Sequence, residues 1–286
     1  MMSLQTPLAA AVLLALATGA VQAQLEAPLR AQPEATLRAQ PEAPLRVDEV
    51  PLRATLELLG AYSHLNAGLP QGHAANARGT WVFANGDVAR AEILDETKFG
   101  SHGGIVAAGY TRVLAADWIL AGTLAAGHGG PNWANQRADV ELSTKWGAGG
   151  WVLTRVALYH ARFDAGRSDQ GLRLGAVAYL PASVVLEGGV IANRSQPGRV
   201  RSDMWFGSAT WGTEGVQYAS LRASSGGEAY QAIGAGQQLV DFRSRSLGLT
   251  WRRWLGRPWG FVAQAEHYRN PFYERNTLGV GAFVQW

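Results

Sequence analysis

Every second residue is apolar at the end of this chain: Leu278, Val280, Ala282 and Val284 alternate with Thr277, Gly279, Gly281, Phe283 and Gln285, and the run stops on Trp286. A period of two means a β-strand with one consistently greasy face. The same rhythm, broken by Gly-, Asn- and Pro-rich steps, recurs back to Arg53. It predicts strands at 53–65, 76–84, 88–98, 103–113, 117–128, 135–146, 150–161, 169–180, 183–194, 200–211, 215–226, 238–252, 258–269 and 274–286. That makes about fourteen, or twelve if two weak segments merge or drop out.

The connections are expected to alternate in length. Asn85-Gly86-Asp87, Ala115-Ala116, Gly147-Ala148-Gly149, Pro181-Ala182, Gly212-Thr213-Glu214 and Leu255-Gly256-Arg257-Pro258 read as tight turns, with Asn-Gly and Gly-rich steps supplying positive φ. Longer polar connections are expected at 66–75, 129–134, 164–168, 195–199 and 227–236. An even strand number, short turns alternating with long loops, and an aromatic closing the last strand together resemble a bacterial outer-membrane barrel, which keeps its short turns toward the periplasm. The fold class implied is all-β, an antiparallel transmembrane β-barrel over 53–286. On that topology Trp118, Trp146, Trp151, Trp211, Trp254, Trp259 and Trp286 line up at one rim. Lipid interfaces favour such rings, apolar in body and polar at one edge, so an aromatic girdle is expected there. A soluble β-sandwich would have no need of one.

Charge separates the two faces most clearly in segment 135–146. Arg137, Asp139, Glu141, Ser143 and Lys145 alternate with Ala138, Val140, Leu142, Thr144 and Trp146. An Arg or Lys at the midplane of a lipid face costs about 2–4 kcal/mol, so the charged set is expected inside. Similar logic places Arg90, Glu92, Arg155, Arg173, Glu187, Gln264 and Glu266 on the inner wall, and Leu172, Leu174, Ala176, Ala178 and Leu180 against lipid. Segments 200–211 and 215–226 alternate too weakly to assign. An interior with both signs of charge has two readings, a plug of interlocking Arg and carboxylate groups or a polar conduit for a hydrated solute. The charged set is the candidate solute-contact surface in the second. Lysine occurs only at 98 and 145, and planar guanidinium groups suit either role.

Composition narrows the classes. The chain has 35 Gly, 11 Trp and no Cys in 286 residues, which excludes disulfides and thiolate metal sites. A formal net charge of +3 with scattered Arg leaves no nucleic-acid footprint. Leu8 to Ala20 is an apolar stretch too short to span a bilayer, and Val21-Gln22-Ala23 offers a small-residue cleavage step, so 1–23 reads as a secretory signal although Met1 to Thr6 lacks Lys and Arg. Residues 24–52 follow as an octapeptide repeat, EAPLRAQP at Glu26–Pro33 and EATLRAQP at Glu34–Pro41, with a third unit beginning at Glu42. Recurring Pro blocks a helix and one Leu per unit cannot build a core, so a periplasmic tether is expected, with a docking strip for peptidoglycan or a partner as the sharper alternative.

Catalytic chemistry has one foothold. Outer-membrane lipid hydrolases carry a His followed two residues later by Ser, near an Asn, and Tyr62-Ser63-His64-Leu65-Asn66 is similar to that arrangement. Here Asn66 holds the nucleophile's place, and Ser63 and His64, being adjacent on a strand, point to opposite faces. His73, His102, His128, His160 and His267 are spread over different segments without metal-ligand spacing. No catalytic residue, cofactor or metal is expected.

Gly109-Tyr110-Thr111-Arg112-Val113-Leu114 followed by Trp118-Ile119-Leu120-Ala121-Gly122, then Gly150-Trp151-Val152-Leu153 and the closing strand, make residues 53–286 resemble the YaiO-type outer-membrane β-barrel family. Many relatives place helical repeats of the tetratricopeptide type before the barrel; this chain has Pro-rich octapeptides there. The resemblance implies a passive barrel integral to the Gram-negative outer membrane, assembled through its C-terminal strand by the barrel-assembly machinery. It also implies a porin-like pore or accessory in export of exopolysaccharide or small polar solutes, in contact with the polymer or its export proteins. A structural or adhesin-like barrel with a plugged lumen is the alternative, and a lipid hydrolase the third.

Overall fold

The computed structural model describes residues 54–147, 149–234 and 237–286; the signal and tether readings at 1–23 and 24–52 lie outside the described residues. Fourteen strands follow one another: β1 (Ala54–Leu65), β2 (Gly72–Val82), β3 (Val88–Lys98), β4 (Ser101–Ala115), β5 (Trp118–His128), β6 (Gln136–Trp146), β7 (Val152–Arg162), β8 (Ser168–Leu180), β9 (Val184–Gln196), β10 (Val200–Thr213), β11 (Gln217–Gly234), β12 (Gln237–Gly256), β13 (Trp259–Arg269) and β14 (Glu274–Gln285). Each pairs antiparallel with the next, and β1 pairs with β14 from Thr55 opposite Gln285 to Leu65 opposite Arg275, closing a barrel. Closure removes both sheet edges, so the backbone groups are satisfied around the ring and the strands can cross hydrocarbon. The Ala54 and Trp286 backbones complete the seam with two hydrogen bonds of 2.9 and 3.1 Å.

Sequence period becomes facing. On β6, Arg137, Asp139, Glu141 and Ser143 are buried while Ala138, Val140 and Leu142 are exposed on the outer wall. On β8, Leu172, Leu174 and Ala176 look outward and Arg173 and Val177 inward. The two segments that resisted assignment resolve by the same rule: Ser202, Met204, Phe206, Ser208 and Thr210 of β10 share the inner parity, as do Tyr218, Ser220, Arg222 and Ser224 of β11. Small residues on both sides of these strands, such as Ser208-Ala209 and Ala223-Ser224, had hidden the alternation.

Two expectations need correction. Residues 227–234 are not a loop but the upper part of β11, which runs 18 residues, while β12 runs 20, both beyond the ~9–11 a tilted crossing requires. The glycines there permit close strand contact: a Cβ on Gly226 would lie 2.1 Å from the Asp203 carbonyl oxygen. Residues 72–75, assigned to a loop, also belong to a strand, β2. As a result connections at both ends are short, and the rim opposite Ala54 and Trp286 stands out by its projecting β11–β12 hairpin and its 129–135 connection. By the habit of such barrels that projecting rim is extracellular and the rim holding Ala54 and Trp286 periplasmic.

Trp118, Trp146, Trp211, Trp259 and Trp286 are exposed on the outer wall near the periplasmic rim, joined there by Trp81; Trp151 departs from the girdle, since it is exposed in the turn before β7 with the inner parity of Leu153, its carbonyl accepting from the Tyr179 N–H at 2.8 Å. Trp254 is a second correction: it has the inner parity of Arg252, is buried, and packs against Tyr218 and Phe283 at 5.9 and 5.0 Å between ring centroids. Its indole N–H donates to Gln285 Oε1 at 2.8 Å, which satisfies inside the barrel the polar edge a girdle Trp turns to the interface.

Candidate functional site

The inner wall is built in three levels. Toward the periplasm, inward Val88, Ile119, Leu153, Val177 and Val185 form one apolar cluster, with Val82, Val113 and Tyr179 against it, and Tyr218, Trp254 and Phe283 form a second. Toward the outside, Leu65, Phe99, Leu239, Phe242, Tyr268 and Tyr273 pack together, and Leu94, Ile105 and Trp133 form a neighbouring group. The outer cluster joins the β3–β4 turn to the β11–β12 hairpin and the β13–β14 connection, so it bridges the mouth from one wall to another. Phe99 and Tyr273 meet edge to face at 5.5 Å, and Tyr230 of the hairpin donates to the Pro197 carbonyl in the β9–β10 turn.

Charged side chains fill the level between. Arg137 makes a bidentate contact with Asp139, at 2.7 and 2.6 Å, and its guanidinium lies 4.5 Å over the Tyr159 ring. Glu187 on β9 receives Arg155 at 3.1 Å and Arg173 at 2.9 Å, and Arg173 stacks 4.5 Å over Phe206. Glycine makes room for those rings. A Cβ on Gly189 would come within 2.7 Å of Phe206, and one on Gly171 would enter the Tyr159 ring. On the seam side, Arg252 of β12 reaches Glu57 of β1 at 2.9 Å and lies 3.8 Å over Phe283, while Arg78 sits 3.9 Å from Glu57 and 3.8 Å from Glu92. Higher up, Arg275 meets Glu266 at 3.2 Å, Tyr268 donates to Glu228 at 2.8 Å, and Lys98 of β3 lies within electrostatic reach of Glu228 across the lumen.

Burial shows that much of this level is filled. Inward Thr111 is 0% exposed, Ala121 7%, Ser220 2% and Gln264 7%, while Phe206, Ser208, Arg222, Ser246 and Thr250 on β10 to β12 are half-buried. Several polar atoms, among them Glu141 Oε1, Glu228 Oε2 and Gln264 Oε1, find no partner among the protein atoms.

The sequence-assigned lumen residues therefore fall on the inner wall, and the structure brings Arg137, Asp139, Glu141, Arg155, Arg173 and Glu187 into one network across β6 to β9. Arg90 and Glu92 lie on β3 near Arg78, and Glu266 belongs to the separate Arg275 group. Lys145 departs from the set: although its parity is inward, it stands at the periplasmic rim and donates to the Ala116 carbonyl at 3.1 Å. Glu57, Arg78, Glu96, Lys98, Arg222, Glu228, Arg252 and Arg275 complete the lumen and were not singled out by sequence. Counting back from Trp286 in steps of two marks the outward set down to Asn276 and leaves Arg275 on the alternate, inward face; Glu57, flanked by Leu56 and Leu58, gave the same signal at the start of β1. Ser63 faces inward and bonds Thr277 Oγ1 at 2.8 Å, whereas His64 is exposed on the outer wall.

These features define a transmembrane β-barrel of the bacterial outer membrane with a lumen packed by its own side chains. The profile of the YaiO membrane beta barrel domain matches residues 53–231, and the chain belongs to that family. No curated protein matches it. Among solved structures it is similar to a bacterial polysaccharide outer membrane secretin, at 10% identity and TM-score 0.50 over 83% of this chain and 100% of that one. It is similar also to the translocator domain of autotransporter NalP from Neisseria meningitidis, at 12% identity and TM-score 0.49 over 84% and 90% of the two chains. A third is Omp33 of Acinetobacter baumannii, at 12% identity and TM-score 0.48 over 82% and 99%. Likeness at these identities concerns the fold.

Proposed function

We propose that the protein is a non-catalytic outer-membrane barrel held shut by its own side chains, serving polysaccharide export as an accessory and not as a standing diffusion pore. What carries the reading is the sequence of levels along the barrel axis, apolar, charged, apolar. A hydrated solute entering from either end meets a packed hydrocarbon layer before it reaches an arginine. The Arg and carboxylate groups that would have lined a conduit are engaged with each other across strands, and a buried ion pair opened to a solute must first lose its partner. The link to polysaccharide rests on the family resemblance and on the guanidinium-bearing inner wall, which suits sugars and acidic groups once exposed.

Two experiments divide the reading. Purified full-length protein in planar bilayers is expected to leave the baseline current flat at moderate voltage; stable open steps would replace the shut barrel with the porin-like pore. Removal of the protein from its host is expected to lower surface polysaccharide, restored by the wild-type chain. Unchanged polysaccharide would overturn the export role and leave a structural or adhesin-like barrel.

A further inference from the structure

On the outer wall near the extracellular rim, strand register assembles a basic row that sequence distance conceals. His160 of β7 lies opposite Gln170 of β8, Gln170 opposite Arg194 of β9, and Arg194 opposite Arg201 of β10. Arg162, two residues above His160, donates to its Nε2 at 3.4 Å and extends the row. Arg162, Gln170, Arg194 and Arg201 are all exposed. Directly opposed like charges on one sheet face destabilise the pair, so Arg194 and Arg201 need an anion between them. The acid nearest on that face is Asp203, one step down β10 from Arg201, and among the described residues no ion pair joins it to either arginine. A comparable couple, Arg245 opposite Arg269, differs in that Arg269 is already paired with Glu274 at 3.2 Å.

Below the basic row β7, β8 and β9 turn apolar at once, while β10 carries exposed Asp203 opposite Ala192 and turns apolar one step lower. Leu158, Leu172 and Ala192 form the next level, and Val156, Leu174, Val190 and Trp205 the one beneath, each adjacent in register to its neighbour. Four strands about 4.8 Å apart make a strip on the order of 15 Å wide, with cations along its upper edge and hydrocarbon surface under them. A soluble anion would use only the edge. An amphiphile with phosphate above and several acyl chains below uses the whole strip.

We propose that this strip binds a phosphorylated, multiply acylated glycolipid of the outer leaflet, its phosphate between Arg194 and Arg201 with Arg162 and Gln170 beside it, and its chains against Leu158, Leu172, Leu174, Val190 and Trp205. Guanidinium groups suit phosphate through paired, charge-assisted hydrogen bonds. The strip lies outside the barrel, so the site stands whether or not the lumen is shut.

The test is retention of lipid A by the full-length protein in detergent, read by native mass spectrometry, with phosphatidylglycerol as the competing anionic lipid. Wild type is expected to keep lipid A in preference to phosphatidylglycerol, and the Arg194→Ala/Arg201→Ala variant to bind it on the order of tenfold or more weakly. Arg112→Ala/Arg253→Ala, at the periplasmic end of the outer wall, is expected to bind as wild type does. Dephosphorylated lipid A given to the unaltered protein is expected to reproduce the loss, a result independent of any effect of substitution on folding. Equal retention by wild type and Arg194→Ala/Arg201→Ala would overturn the site, and equal retention of phosphatidylglycerol would overturn the glycolipid assignment.

Discussion

At the scale of single residues the lumen depends on arginines that have somewhere to go. Glu187 receives both Arg155 and Arg173, so Glu187→Ala takes a shared carboxylate from two guanidinium groups in a packed interior. Breaking a buried pair from one side costs about 3–5 kcal/mol, and the expected readout is a lower urea midpoint for loss of the compact, unboiled gel form. Arg269→Ala removes an exposed partner of Glu274 and is expected to cost less than about 1 kcal/mol in the same assay. Equal losses would mean that the interior pairs are as solvated as the surface one. Glycine is as specific as charge at one point: Gly189→Ala puts a methyl 2.2 Å from the Leu174 carbonyl oxygen and against Phe206, and is expected to destabilise by about 1–3 kcal/mol. Gly79→Ala, where a Cβ meets nothing within 4 Å, is expected to leave the urea midpoint near that of wild type.

At the scale of the strand, facing follows from parity. Leu174→Arg places a cation on the lipid wall of β8 and is expected to cost about 2–4 kcal/mol and lower the folded yield in phospholipid vesicles. Unaltered yield would mean that this wall does not meet lipid. Parity also explains what the amino-acid sequence disclosed. β6 was legible because charged and aliphatic residues alternate without exception through most of its length, and β14 because it can be counted from Trp286. Arg252-Arg253 was opaque: adjacent arginines must point to opposite walls, and nothing local says which goes in. Trp254 was misplaced for the same reason, since nearness to a turn fixes a residue's height along the axis but not whether it faces lipid or lumen. Gly226-Gly227 suggested a break, whereas in β11 those residues let the strand pass close to β10. The ion pair of Arg252 on β12 with Glu57 on β1, and the meeting of Phe99 with the β11–β12 hairpin, join residues more than a hundred positions apart and leave no trace in any local pattern.

At the scale of the whole molecule the barrel is a cylinder stopped twice. The periplasmic cluster around Ile119 and Leu153 and the outer cluster around Leu239 and Phe242 lie in series, so removing either alone does not open a path. Leu239→Ala/Phe242→Ala is expected to leave bilayer current at baseline, as is Ile119→Ala/Leu153→Ala. The fourfold variant is expected to leak, with an ion selectivity that changes further on Arg137→Ala. Leak from one pair alone would locate the whole seal in that cluster. The proposal of an accessory barrel over an open porin rests, at this scale, on the paired interior and on the two clusters lying in series.

The central claim, that side chains occupy the interior, is tested most directly by thiol reactivity, for which a chain with no native Cys is well suited. Ala121→Cys and Ala157→Cys place a small reporter on the inner wall midway between the two clusters, and Thr213→Cys places one at the periplasmic rim. A small, charged, water-soluble thiol reagent is expected to modify the rim reporter to completion while the two inner cysteines remain largely unreacted in the folded protein and react after unfolding. Modification of all three at the same rate in the folded barrel would contradict the account.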